Sequence, residues 1–147
     1  MKNDQLFYAY LAGFVDADGL IGIVSLAKEK RYVIQVSACN CNETPIQMLK
    51  EKFGGKIRKR IWKNKKWKPN YEWKLTSLKA KAVIQELLPY LKIKHEQAKL
   101  ALEAQELKSE FSCAYWRWNP EVKKKRDSKL LQLKQKCNKL NKRGTND

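Results

Sequence analysis

Asp16 and Asp18 stand two apart, just before Gly19, at the end of a stretch whose Leu6, Phe7, Tyr10, Leu11 and Phe14 recur at helical spacing. Metal chemistry in this chain has to rest on carboxylates. His95 is the single histidine, and Cys39, Cys41, Cys113 and Cys137 lack the paired spacing of a zinc site. The cysteines are expected to be reduced, mostly buried thiols. An isolated Asp-Ala-Asp-Gly is ordinarily a turn, but the helix before it carries a second feature. Ala9 and Gly13 lie four apart on one face, Ala12 widens the flat strip, and small residues let another helix approach closely. If that helix comes from a second copy of the chain, two-fold symmetry brings both Asp18 side chains beside one axis. Carboxylates so close repel unless divalent cations offset the repulsion, and hard oxygen donors suit magnesium. Such a site can support phosphodiester hydrolysis without a histidine base.

The surrounding sequence must supply a scaffold for that helix end. Asp4 is placed to cap the first helix. β-Branched and apolar residues cluster over Ile21–Ala27 and Tyr32–Cys41 around the charged turn Lys28–Arg31, which predicts a hairpin. Asn42 or Thr44 then caps a helix carrying Ile46, Leu49 and Phe53, with Pro45 in its first turn and Gly54 and Gly55 ending it. A second strand pair, Lys56–Trp62 and Tyr71–Leu75, flanks the basic turn Lys63–Pro69. Helices follow around Leu78, Val83, Leu87 and Leu88, stopping at Pro89, and around Ile93, Leu100, Leu102 and Leu107. The order predicts an α+β domain with one curved antiparallel four-stranded sheet and C-terminal helices. Past Ser109 the expectation is a loop holding Tyr115, Trp116 and Trp118. A basic helix capped by Ser128 follows, with Leu130, Leu133, Cys137 and Leu140 on one stripe, and then a frayed tail over Asn141–Asp147.

With 147 residues and 43% hydrophobic content, one domain over 1–147 is expected. Lys and Arg number 32 against 15 Asp and Glu, a net charge of +17 that repels itself unless a polyanion relieves it. Nucleic acid is therefore the expected partner. No apolar run is long enough to span a bilayer and Met1–Tyr10 lacks the order of a signal peptide, so no membrane association is expected and the protein is read as soluble and intracellular.

The nonapeptide Leu11-Ala12-Gly13-Phe14-Val15-Asp16-Ala17-Asp18-Gly19 resembles the signature of the LAGLIDADG homing endonucleases, differing at Phe14 and Val15 by apolar replacements. The resemblance extends over about residues 5–107 and leaves a basic extension, about 109–147, uncovered. A single copy of the motif corresponds to the homodimeric branch. The resemblance implies the αββαββα fold and a site-specific homing endonuclease, intron-encoded, that cuts both strands of a long pseudo-palindromic DNA. It also implies a metal site at Asp18, helped by the Ala17 backbone carbonyl, for Mg2+ or other divalent ions such as Mn2+ or Ca2+, with no organic cofactor. Lys94, in Leu91-Lys92-Ile93-Lys94, occupies the place where single-motif relatives carry a lysine near the scissile phosphate, although Lys92 and Lys94 also read as ordinary solvated lysines. The family's strand-end glutamine is replaced by an amide at Asn40, or at Asn42 if the cap lies elsewhere. A local turn is an equal reading for either. The alternative function on this scaffold is an intron RNA maturase, or a nucleic-acid binder that does not cut.

Double-stranded DNA needs a reading surface. Lys56, Arg58, Arg60 and Trp62 share one strand face by alternation, opposite Ile57 and Ile61, and Glu72 and Lys74 belong to the same outer side. Arg58 and Arg60 suit guanine edges. Gln35 and Ser37 are the comparable polar positions of the first hairpin. Lys63, Lys65, Lys66 and Lys68 in the turn are assigned to phosphates, beside Trp62 and Trp67. Lys123–Arg126 and the last helix either extend these contacts or keep the surface solvated.

Overall fold

The computed structural model describes residues 2–26, 31–110 and 119–142, the side chain of Lys2 excepted. The expected turn after Leu26, the Tyr115–Trp118 loop, Cys113 and the tail from residue 143 lie outside the described residues. Helix α1 (Lys2–Asp18) leads into β1 (Gly19–Leu26), β2 (Arg31–Asn40), α2 (Glu43–Phe53), β3 (Lys56–Arg60), β4 (Asn70–Thr76) and α3 (Ser77–Leu87). A short 3-10 turn (Leu88–Tyr90), α4 (His95–Glu110) and α5 (Pro120–Asn141) complete the chain. The four strands form one antiparallel sheet in the order β1-β2-β4-β3. This is the expected α+β architecture.

Side-chain alternation divides the sheet into two faces. Ile21, Ile23, Ile34, Val36, Ala38, Trp73 and Leu75 join Leu11 and Val15 of α1 and Ile46 and Leu49 of α2 in the core. Trp73 is fully buried, and its Nε1 donates to the Gly54 carbonyl at 2.8 Å, which ties β4 to the end of α2. Gly55 can pass close to that indole because it has no Cβ: one would lie 2.9 Å from Leu75 Cδ2, and the backbone φ is +94°. Gly19, the last residue of the nonapeptide, has a similar constraint. A Cβ there would meet the Val15 carbonyl oxygen at 2.6 Å and that of Ser37 at 2.9 Å, so only glycine lets α1 turn straight into β1.

Several local expectations change. Asn42 is the α2 cap, its side chain accepting from Thr44 N at 3.0 Å. Helix α4 begins at His95, and Ile93 lies outside it, largely exposed. Its buried stripe is Gln97, Ala98, Ala101, Ala104 and Gln105, while Leu100, Leu102 and Leu107 are half-buried, because small residues allow α4 to pack close to β1, β2 and α5. Helix α5 starts eight residues before Ser128, capped by Asn119, whose side chain accepts from Val122 N at 3.4 Å. Leu130, Leu133 and Cys137 are buried as expected, and Leu140 is not. Cys39 and Cys41 are exposed, against the expectation of burial. Cys137 is buried, which pushes its thiol pKa up.

β1 is an edge strand, and α5 covers it. Asn141 Nδ2 donates to the Ile21 carbonyl at 3.0 Å and Lys134 Nζ to Ser25 Oγ at 2.6 Å. Helix α5 thus lies along an edge that would otherwise offer unpaired backbone groups, and it takes up the Ile21 carbonyl. No helix among the described residues is long and apolar enough to cross a membrane.

The contact that orients α1 is made by Asp16. Its carboxylate is buried and accepts from three successive backbone N–H groups: Lys92 at 2.7 Å and Ile93 at 3.1 Å on Oδ2, and Lys94 at 2.9 Å on Oδ1. These residues lead directly into α4, whose N-terminal dipole end favours a negative charge. Asp16→Ala should lower stability by roughly 2–4 kcal/mol, because it strips charged acceptors from buried donors. Urea unfolding checks this, and an unchanged midpoint would refute the structural role.

Candidate active site and nucleic-acid interface

The two carboxylates of the nonapeptide have different surroundings. Asp16 points back into the protein, while Asp18, the last residue of α1, is exposed. Asn40, at the end of β2, donates from Nδ2 to Asp18 Oδ2 at 2.8 Å, and its Oδ1 accepts from Asn42 N at 2.7 Å. The strand-end amide beside the carboxylate is therefore Asn40. Asn42 is occupied with capping α2. One amide side chain thus joins the β2 end, the helix entry and the Asp18 oxygen.

Lys94 is not a solvated lysine. It is only 8% exposed, and its Nζ donates to the backbone carbonyl of Asp16. A cation held against the last-turn carbonyls of α1 complements the negative end of the helix dipole. The same turn that gives three N–H groups to Asp16 therefore returns a positive charge to the α1 backbone. A cavity of about 380 Å³ opens here, lined by Asp16, Ala17, Gly19, Lys94, Gln97 and Asn141 among others. Gln97 is buried, and its Nε2 donates to the Leu140 carbonyl and to Asn141 Oδ1, both at 3.4 Å, so the end of α5 forms part of the cavity wall.

The oxygens that the resemblance assigns to a metal ion are the Asp18 carboxylate, exposed at the end of α1, and the Ala17 carbonyl, all hard donors. Among the described residues no three His, Cys, Asp or Glu side chains come together in a metal-binding group. The exposed carboxylate at the end of α1 is thus a single one in this chain. That fits an ion bound through one or two carboxylates and completed by water and phosphate oxygens.

The exposed side of α1 runs along Leu6, Ala9, Tyr10, Gly13 and Ala17 and ends at Asp18. Leu6 is 70% exposed, and a Cβ at Gly13 would have nothing within 4 Å. Ala12 does not belong to this strip. It is fully buried in its own protomer, because position 12 falls on the face shared with Leu11 and Val15.

On the outer face of the sheet, Lys56 stands opposite Lys74, Arg58 opposite Glu72 and Arg60 opposite Asn70. All but Glu72 and Asn70, which are half-buried, are exposed. Asn70 and Thr76 extend the Glu72, Lys74 row by simple alternation, a signal already present in the sequence that the initial set of site residues omits. In the first hairpin Gln35 is half-buried, and its Nε2 donates to Ser37 Oγ at 3.4 Å. Ser37 is buried, so it presents less surface than alternation alone suggests.

β3 ends at Arg60, which alters two assignments. Ile61 does not pack inward but is 75% exposed, and Trp62 belongs to the β3–β4 tip instead of the strand face. The chain leaves the sheet there because Trp62 packs edge-on against Trp67, ring centroids 5.6 Å apart. Lys63, Lys65, Lys66 and Lys68 are all exposed around this pair.

Comparison with known proteins bears on the fold and the family. No family-wide sequence profile matches the chain. The DNA endonuclease I-CvuI of Chlorella vulgaris is 36% identical over 109 residues, which is 69% of this chain and 65% of the relative's own length. Among solved structures, I-CvuI bound to its DNA target in 2 mM Ca superposes with a TM-score of 0.74 at 26% identity, covering 99% of this chain and 87% of that one. The archaeal intron-encoded homing endonuclease I-Vdi141I complexed with DNA shares the fold, with a TM-score of 0.70 at 15% identity over 98% of this chain and 89% of that one. With the nonapeptide at the α1–β1 junction, the four-stranded sheet behind it and these relatives, the chain belongs to the LAGLIDADG homing endonuclease family.

Proposed function

We propose that the protein is a site-specific DNA endonuclease that acts as a homodimer on a long pseudo-palindromic double-stranded site, using divalent metal ions. The observation that carries this reading is the continuity of α1. Its exposed strip of small and apolar residues leads without interruption to an exposed carboxylate, so the surface that pairs two copies also brings their Asp18 side chains together. Relatives that carry the name DNA endonuclease, and whose structures hold DNA in the presence of Mg or Ca, support it.

In this reading Asp18 and the Ala17 carbonyl of each copy hold the ions, with Mg2+ the physiological choice. Bound there, the ions activate water and neutralise charge on the reacting phosphate. The chain's own residues do the rest. Asn40 fixes the rotamer of Asp18 through the 2.8 Å hydrogen bond and passes that constraint to the α2 cap. Lys94 places a buried positive charge beside the motif, where it favours the extra negative charge of the phosphate in the transition state.

The sheet face opposite the core is the DNA-reading surface. Like charges directly opposite each other on neighbouring strands are destabilising, and Lys56 and Lys74 are placed in that way. A polyanion along the face removes the penalty. Arg58 and Arg60 are the direct readers, Gln35, Ser37, Glu72 and Lys74 contribute to the same surface, and the lysines of the tip contact phosphates.

Three experiments test these assignments. Asp18→Asn should reduce cleavage in magnesium by on the order of 10³-fold or more while a gel-shift assay shows DNA binding retained; wild-type nicking by this variant would remove the metal assignment. Gly13→Leu should leave circular dichroism unchanged, because the protomer has space at that position, yet convert a dimer into monomers in sedimentation and abolish double-strand cleavage. A dimeric, fully active Gly13→Leu protein would place the interface elsewhere. Lys65→Ala should lower affinity evenly over different DNA sequences and reduce the slope of log K against log salt by about 1, and a loss confined to particular base pairs would contradict a phosphate contact.

A further inference from the structure

The tip between β3 and β4 is built, not merely basic. Asn64 organises it: its side-chain Oδ1 accepts from Lys66 N at 3.1 Å and its backbone carbonyl accepts from Trp67 N at 3.1 Å. This turn brings Trp67 back against Trp62 in the edge-on pair. Trp67 is 61% exposed, whereas Trp62 is half-buried. The Arg60 guanidinium carbon lies 5.6 Å from the centroid of the Trp62 ring, within the range of a cation–π contact. An arginine at the end of an edge strand would ordinarily sample many rotamers in water, and holding it in one costs side-chain entropy on binding.

From this arrangement we infer that Trp62 is a specificity-positioning residue: it does not read DNA itself but holds the Arg60 guanidinium in the orientation in which it reads a base pair. The inference rests on the proposed role of Arg60 in DNA readout. The Asn64 turn brings Trp67 edge-on against the Trp62 ring, so the ring that Arg60 meets is itself held in place by the tip. Arg is suited to this arrangement because its planar cation stacks on an aromatic face while its edge nitrogens remain available for the two acceptors of a guanine. A lysine would have no edge to offer.

The test is a cleavage-site profile over a library of single-base variants of the protein's own selected target, measured for four proteins. Arg60→Ala should flatten one base-pair position, losing discrimination of about 5- to 150-fold there. Trp62→Leu should weaken the preference at that same position by roughly 2- to 5-fold and leave the other positions and the salt dependence of binding unchanged. Trp62→Phe, which keeps an aromatic face, should restore most of the preference. In the double variant, Trp62→Leu should add nothing to Arg60→Ala at that position.

The outcomes separate the two claims. If Arg60→Ala alters no position, the readout role of Arg60 fails and the inference fails with it. If Arg60→Ala flattens a position that Trp62→Leu leaves intact, the readout role stands and the positioning role is overturned. A change at a different position in Trp62→Leu also overturns it, since Trp62 would then touch the DNA directly. Should the leucine variant not fold, NMR of the wild-type protein decides the matter: Arg60 side-chain protons under the indole should be shifted upfield by its ring current, and random-coil values would refute the contact.

Discussion

The carboxylate of Asp16 is the constraint on which the rest of the site depends. It sits two residues from the end of α1 and takes three backbone N–H groups from the segment entering α4, elements separated by more than seventy residues of sequence. Those donors lead into α4, and the Lys94 N–H among them belongs to the helix start, which has no partner within its own helix. Because the acceptor is an ion in a buried place, the contact is directional and expensive to distort. It fixes the rotation of α1 about its own axis relative to α4, and that rotation decides what every other residue of the nonapeptide faces. With Asp16 turned inward, the core takes Leu11, Ala12 and Val15, solvent takes Ala9, Gly13 and Ala17, and Asp18 emerges where the helix stops.

Charge shapes the remainder of the molecule. A chain with a net charge of +17 pays for compactness in self-repulsion, and part of that repulsion lies on the sheet face and its tip. Lys56 opposite Lys74 is a local instance. The acids on the back of the domain lie along α4, where Glu103, Glu106 and Glu110 face Lys129 and Lys136 of α5 across an open groove. Opposite signs thus meet where α4 and α5 pack, and on the bare sheet face the like pair Lys56 and Lys74 stands beside the opposite pair Arg58 and Glu72. Lys108 shows the cost of crowding: burial first, then Arg31 and Arg126, lower its pKa, even as its Nζ donates to the Tyr32 carbonyl at 2.7 Å.

Much of this was legible in the sequence because the informative residues are local. Clusters of β-branched and apolar residues located the first hairpin, alternation marked the faces of the second strand pair, and the glycines at 54 and 55 stop α2 at Phe53, where the structure ends it. What the sequence could not settle depends on partners distant in the chain. Asp16 and Asp18 are the same residue type two apart, and only the segment entering α4 shows that one is a buried anchor and the other an exposed carboxylate. Asn40 and Asn42 are likewise alike until Thr44 and Asp18 are in place. Ala12 looked like part of a flat strip because small residues signal close approach without saying to what. The early start of α5 was hidden because the Lys123–Arg126 run carries no apolar periodicity, and Trp62 followed the strand's alternation on paper but leaves it to meet Trp67.

Under the proposed function, the division of labour between the two aspartates also explains how one helix would serve as scaffold, interface and ligand. A helix used only as an interface could slide or rotate by a fraction of a turn with little change in buried area, since small residues present a smooth surface. A metal ligand at its tip cannot tolerate such freedom, because oxygen ligands of magnesium must sit near ideal octahedral positions. Asp16 and Lys94 together remove the freedom: one clamps the helix rotation by its side chain, and the other holds the final turn by its backbone carbonyl. The position of Asp18 is then set within each protomer before any pairing occurs, with Asn40 fixing the last torsion. Under the proposed two-fold arrangement, association has only to bring two finished halves together, and the geometry of the shared centre follows from the fold of one chain.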